Sequence, residues 1–292
     1  MSAAGPPRGT RPLEGGADAH EVRKAGGGRH TSAAGDRPTR RLRLHATVAP
    51  LTGAATVIVV FAMVEALTRA GAINRFVVPL PSQVLAAIPR IVMEEGVPAR
   101  FLLTMQEALG ASALITLVGV GLGALLYRVQ LLRRATETWV AALASAPVVL
   151  AYPLFLVIFG RSATTIVMIG FVAGLPPVIL NTIEGLASTR PALVNVGRSF
   201  KLTPSQLFWK ILLPSAMPSI FVGLRLGLIF ALINIVGVEF LINFGGLGQL
   251  INELAERYDL PGTYAAILFV ILVSVVFFVL AERMERWARS AP

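Results

Sequence analysis

The chain contains no cysteine, which excludes a disulfide framework and any thiolate chemistry. Histidine is nearly missing too. His20, His30 and His45 all precede the first long apolar run. The apolar body therefore has no imidazole with which to bind a metal, activate a serine or relay a proton. Charged residues make up 14% of the chain against 55% hydrophobic ones, too few for an ordinary soluble domain. No G-x-x-x-x-G-K-[ST] run occurs, so the chain does not cradle nucleotide phosphates by that route. The net charge of +10 is not a nucleic-acid footprint, because no aromatic platform or binding motif lies beside the basic residues. Half of that charge comes from residues 1–45, which hold nine Lys/Arg and four Asp/Glu.

What the chain does have is apolar runs of membrane-spanning length. Residues 1–45 are rich in Gly, Pro and Arg without apolar periodicity, and the expectation is a disordered tail. The tail lacks the apolar core of a signal peptide, and it carries Glu14, Asp18, Glu21 and Asp36, which transit peptides avoid. Residues 46–287 are expected to form one all-α, polytopic membrane domain, followed by a short end at 288–292. Its six spans are placed at about 47–67, 101–127, 139–159, 163–183, 219–242 and 263–280, the first of them long enough for a ~30 Å hydrocarbon layer. Glu65, near the end of the first, can reach the interface. Pro147 and Pro153 predict a kink in the third. The pairs Gly119/Gly123, Gly170/Gly174 and Gly223/Gly227 predict close helix packing.

Lys/Arg distribution sets the expected orientation. With the N-terminus in the cytoplasm, 19 basic residues lie inside and six outside; without the tail the count is ten to six. Six spans then place both termini in the cytoplasm, with the chain in the inner (plasma) membrane.

Three stretches between spans have structure of their own. In residues 69–100, Pro79-Leu80-Pro81-Ser82 reads as an extended arm followed by a helix cap. Val84, Leu85, Ile88, Ile91 and Val92 then form an apolar stripe interrupted by Pro89. In residues 243–261, Gly245-Gly246-Leu247-Gly248 breaks the helix, and Leu247, Leu250, Ile251 and Leu254 form a second stripe. The third stretch, 189–218, lies on the cytoplasmic side. Pro191 can open a helix on which Leu193, Val196 and Phe200 share one face, opposite Asn195, Arg198 and Lys201. Thr203-Pro204-Ser205-Gln206 reads as a capping box that opens a second short helix, with Leu207, Phe208, Ile211 and Leu212 on its apolar side. Two short amphipathic helices outside the bilayer suit docking into a partner's groove.

Intramembrane polar residues are few. The fifth span carries Arg225, Asn234 and Glu239. Arg225 and Glu239 share a face to within ~40° but stand ~21 Å apart along a helix, so they cannot pair with each other. Such groups face a cavity or a partner helix, or pair locally near an interface.

Asn195 to Pro214 resembles the cytoplasmic coupling loop of ABC-transporter permeases, whose signature runs Glu-Ala-Ala, three residues, Gly, nine residues, Ile-x-Leu-Pro. Ile211-Leu212-Leu213-Pro214 matches its end. Asn195-Val196-Gly197 stands in place of Glu-Ala-Ala, and Lys201 in place of the glycine. Pro79–Leu85, Asn181-Thr182, Gly223-Leu224-Arg225 and Val238-Glu239-Phe240 before Gly246-Leu247-Gly248 resemble the nitrate/sulfonate/taurine-type members. The resemblance covers about residues 47–287. It implies a permease of a binding-protein-dependent importer, moving a small solute such as a sulfonate, taurine, nitrate or a thiamine-precursor-like molecule. It also implies a pair of permease subunits, two partner ABC ATPases, an extracytoplasmic solute-binding protein, no enzymatic activity of its own and no cofactor. ATPase-coupling residues would be Asn195, Val196, Gly197, Arg198, Lys201, Leu202, Thr203, Ile211, Leu213 and Pro214. Arg225, Asn234, Glu239, Gly246 and Gly248 would belong to the pathway or gate. The alternative is a secondary transporter or channel driven by an ion gradient, which needs an ionisable relay near the midplane. The sequence offers only isolated acids for it. A membrane-embedded hydrolase would need a nucleophile–base pair, and none is found.

Overall fold

The computed structural model describes residues 39–290 and divides the chain into two units, residues 1–55 and 56–292. Of the first unit, residues 39–55 are described and are helical; they open α1 (Thr39–Arg69). The helix therefore begins inside the stretch expected to be a disordered tail. The physical reason is local: after Pro38 the chain reads Thr-Arg-Arg-Leu-Arg-Leu, good helix formers with no glycine or proline. The rest of that tail, residues 1–38, lies outside the described residues, as do 291–292.

The second unit is a helical assembly with no strand among the described residues. α2 (Pro81–Glu94) lacks the expected cap from Ser82. Its N-cap is Leu80, and the Glu65 carboxylate of α1 accepts instead from the Ser82 N–H and Oγ at 3.1 and 2.9 Å. Pro89 is exposed and does not interrupt α2. Val84, Ala87 and Ile91 form its buried stripe, while Leu85 points outward, 59% exposed. α3 (Val97–Leu114), a π turn at Ile115–Gly119 and α4 (Val120–Arg128) form one continuous rod. α5 (Gln130–Ser145) follows after Val129 alone, so Arg133 and Arg134 sit within a helix rather than in a loop.

The expected third span is not a kinked helix. α5 and the Val148–Phe159 segment that ends in α6 (Tyr152–Phe159) meet at 93°. Proline explains the corner. Pro147 forces the preceding Ala146 into extended backbone (φ −78°, ψ 135°), which ends α5. Pro153 then sits in the first turn of α6, where it does no harm.

α7 (Ala163–Ala187) runs through Pro176 and Pro177. α8 (Pro191–Ser199) and α9 (Pro204–Leu207) follow. α9 is not a separate helix, as the sequence suggested. It passes through a π turn at Phe208–Leu212 directly into α10 (Leu213–Ile242). Pro214 lies in the first turn of α10, and Pro218 is carried inside it. The resulting 39-residue rod, Pro204–Ile242, is ~58 Å long, nearly twice the hydrocarbon thickness. α11 (Gly246–Glu256) and α12 (Leu260–Ser290) complete the fold.

Among the described residues, four segments are long and apolar enough to cross a bilayer: Val97–Arg128, Ala163–Ala187, Pro204–Ile242 and Leu260–Arg283. The bent pair α5–α6 makes a fifth if counted as one. The expected first span lies on α1, and some of its side chains fall outside the described residues. Outward faces are apolar: Leu117, Trp139, Leu150 and Val157 are 69–85% exposed. Apolar exposure on this scale belongs against lipid or protein.

The core is the α7–α10 contact. Ile166, Ile169, Ile235 and Val238 are fully buried along it, with Ile115 of the π turn. Helices approach this closely only where side chains vanish. A Cβ on Gly227 would lie 2.6 Å from the Gly174 carbonyl oxygen, and one on Gly223 would lie 2.6 Å from Asn181 Cβ. Gly119 and Gly123 let α4 approach α7 in the same way, against Val178 and Thr182. We expect Gly174→Leu to cost roughly 1–3 kcal/mol through overpacking and to lower the melting temperature of the detergent-solubilised protein. Gly121→Leu, which faces open space, should leave it unchanged.

Candidate functional site

The long rod α9–α10 has an unusual end on each side, and all of the sequence-predicted site residues except Arg225 and Asn234 divide between them. At the α8 end, the chain closes α8 with a Schellman motif. Leu202 N–H donates to the Gly197 carbonyl at 3.1 Å and Lys201 N–H to the Arg198 carbonyl at 2.9 Å. Lys201 takes the left-handed conformation, φ 52°, at the position where the permease signature has glycine. Thr203 then opens α9 with a complete capping box: the Gln206 N–H donates to Thr203 Oγ1 at 3.3 Å, and the Thr203 N–H donates to Gln206 Oε1 at 3.0 Å.

Gly197, inside α8, is where α8 packs closely on the α9–α10 rod. A Cβ there would lie 2.6 Å from Ile211 Cδ1 and 2.7 Å from Leu207 Cδ1. Below it, Phe208 and Leu212 are buried with Leu186, Ala216 and Ile220, and the Arg128 guanidinium lies 4.7 Å from the Phe208 ring centre. Pro214 is exposed and Leu213 half-buried at the start of α10. The outer face of the unit is apolar and bare: Leu193, Val196, Phe200 and Trp209 are 44–76% exposed. Asn195, Arg198 and Lys201 are also exposed.

At the α11 end, α10 stops with Asn243 in left-handed backbone (φ 53°), and Gly245 and Gly246 also have positive φ. The side chain of Arg161 donates to the Asn243 carbonyl. The turn aims the N-terminus of α11 back at Glu239, which is fully buried. Gly248 N–H donates to Glu239 Oε2 at 2.8 Å, and Thr104 Oγ1 on α3 donates to Oε1 at 2.7 Å. The same threonine oxygen accepts from Leu247 N–H at 2.9 Å. A Cβ on Gly246 would overlap the Glu239 carboxylate, and one on Gly248 would overlap the Val236 carbonyl. Both glycines are thus required by close approach.

The Glu239 carboxylate also lies against the carboxyl of Glu107, one turn along α3 from Thr104 and 3% exposed. Sequence reasoning missed Glu107 and Thr104. Glu107 was legible as a lone acid inside an apolar run, but its partner 132 positions away was not. The acids of the spans are therefore not isolated, which corrects the sequence-based expectation. Nearby, an ionic belt joins α2, α3, α11 and the turn that leads from α11 into α12. Arg100 pairs with Glu253 at 2.7 Å and Arg257 with Glu95 at 2.9 Å, and Arg90 pairs with Asp259. The bond to Asp259 pushes the Arg90 guanidinium above its ordinary value. Among the described residues no three His, Asp or Glu side chains converge as metal ligands.

The remaining polar residues of α10 do not join either end. Arg225 pairs with Glu285 of α12 at 2.9 Å and lies over the Phe278 ring. Asn234 donates to the Phe230 carbonyl of its own helix at 2.8 Å. Among the described residues, Arg225 is the one charged residue lining a groove of about 1050 Å³ between α3–α4, α10 and α12, whose other walls include Met105, Leu109, Met217, Phe221 and Phe277.

Residues 101–290 match the family described as the inner membrane component of binding-protein-dependent transport systems. The chain belongs to that family. Its relatives include the formylaminopyrimidine transport permease protein ThiX of Halalkalibacterium halodurans, 28% identical over 59% of this chain and 69% of that protein. The nitrate import permease protein NrtB of Synechococcus elongatus is 26% identical over 66% and 69%. The fold is that of the inward-facing MetNI methionine ABC transporter structure, with a TM-score of 0.58 at 19% identity, covering 66% of the permease and 95% of that chain. The permease is therefore an ABC-transporter membrane subunit, in a family whose members' names span unlike solutes.

Two outcomes follow from the ends of the rod. Lys201→Gly should stabilise the permease by about 1 kcal/mol, since it relieves a left-handed non-glycine residue, read as a raised melting temperature. Gly246→Ala should do the reverse on the same measurement, because a methyl group would displace Glu239 and strain the turn.

Proposed function

We propose that this permease moves a small solute into the cytoplasm as one of a pair of such subunits, driven by two partner ABC ATPases and fed by an extracytoplasmic solute-binding protein. The observation that carries the reading is the α8 surface. A membrane-family protein holds four large apolar side chains, Leu193, Val196, Phe200 and Trp209, in the open, on a unit braced by a Schellman turn and a capping box. A rigid unit that exposes these apolar side chains together with Arg198 and Lys201 suits a groove on another protein. Because α9 is continuous with α10, a displacement of this face carries directly along a span to Glu239 and α11. In this reading Asn195, Val196, Gly197, Arg198, Lys201, Leu202, Thr203, Ile211, Leu213 and Pro214 form the coupling unit. ATP closing the ATPase pair moves them, and the spans tilt between inward and outward access.

The charge distribution supports placing α8–α9 and both termini in the cytoplasm, with α1 as the first of six spans and the α5–α6 pair as the third. α2 and α11 then lie on the outer side, where the ionic belt gives the binding protein a firm platform. The groove beside Arg225 would form part of the path or of the contact with the second permease. The solute belongs to the range named for relatives, among them formylaminopyrimidine and nitrate, or is a sulfonate such as taurine.

Co-purification with a candidate P-loop subunit tests this. Wild type should elute with the ATPase and show ATP hydrolysis. Val196→Glu, at an exposed position, should lose the ATPase at least tenfold while still inserting and folding. Gly197→Asp should lose it by unseating α8 from Ile211. An unchanged complex in both variants removes the coupling role. Uptake that follows an imposed ion gradient without ATPase would instead favour secondary transport.

A further inference from the structure

Glu107 has no part in the proposed transport cycle, yet it is the costliest group in the molecule to explain. It is 3% exposed, inside a segment apolar enough to span a membrane. Neither of its oxygens meets a conventional donor. What it meets is another acid, Glu239, itself fully buried. Neither carboxyl takes part in an ion pair among the described residues. Two buried carboxyl groups in contact do not both carry charge; one proton lies between them.

The surroundings decide which acid is which. Glu239 accepts from Gly248 N–H on one oxygen and from Thr104 Oγ1 on the other, and it stands at the N-terminus of an eleven-residue helix. Donors and helix dipole both favour a carboxylate there. Glu107 has no donor directed at it, so its neutral form is the one its site accommodates, with its hydroxyl turned to Glu239. We propose that Glu107 and Glu239 form a buried binding site for a single proton, with Glu107 the neutral donor and Glu239 the carboxylate that closes the α11 N-terminus. The α3–α10–α11 junction is then held by a bound proton, and an arrangement that carried α11 away into water would release it. Glu107 is in this sense a positioning residue, acting through Glu239 on α11.

The test uses the full chain in lipid nanodiscs and reads infrared absorption in H2O and D2O. Wild type should show the carbonyl stretch of a protonated carboxyl that shifts with deuterium. Glu107→Gln, which keeps a donor but cannot ionise, should abolish that band while keeping the melting temperature within a degree or two of wild type. Glu107→Leu, which removes the donor, should lower the melting temperature by several degrees. The proposal is overturned if wild type shows no buried protonated carboxyl, as when the pair holds a metal cation instead. It is also overturned if the band survives Glu107→Gln and disappears in Glu239→Gln, or if the leucine variant is as stable as wild type.

Discussion

The contact between α7 and α10 is the constraint on which the other elements depend. At Gly174 and Gly227 the two backbones meet with no side chain between them. In an apolar environment helices gain little from hydrophobic burial against one another, so close packing supplies the attraction. Once α7 and α10 are locked, α3–α4 seats on α7 through Gly119 and Gly123, and the Ile115 side chain fills the space beside Gly174. α12 stays peripheral, with most of its apolar surface outward.

That axis also links the two ends of the molecule. α10 is continuous with α9 at one end and folds back into α11 at the other. The α8 unit has a fixed geometry because the N–H groups of residues 200–203 at its turn all donate, in the Schellman bonds and in the reciprocal Thr203–Gln206 pair. The α11 end is fixed by a different device, a buried carboxylate accepting from a helix N-terminus and from Thr104. One end presents an open apolar face and the other is polar and closed.

Glycine at 246 and 248 and lysine at 201 show opposite solutions to tight turns. At 246 and 248 the space is already occupied by Glu239 and the α10 backbone, so no side chain fits. At 201 the space is open, and only the positive φ disfavours lysine. The exposed site tolerates the departure from the family pattern at a modest cost in stability.

Much was legible from local pattern. The apolar runs located α3–α4, α7, α10 and α12, the capping box at Thr203 was readable from Thr-Pro-Ser-Gln, and the α11 stripe of Leu247, Leu250 and Leu254 is the face that is buried. These depend on neighbours within a turn or two, and spacing reports them. Tertiary structure alone decided the rest. The corner between α5 and α6 needed the geometry of Pro147 to become a right angle, and the cap of α2 came from Glu65 on another helix. The merging of α9 with α10 depended on Phe208 and Leu212 finding a core. The carboxyl pair joins residues 107 and 239, which only the packing of α3 on α10 and α11 could bring together. Periodicity determines which face of a helix is buried; which partner it meets is a property of the whole fold.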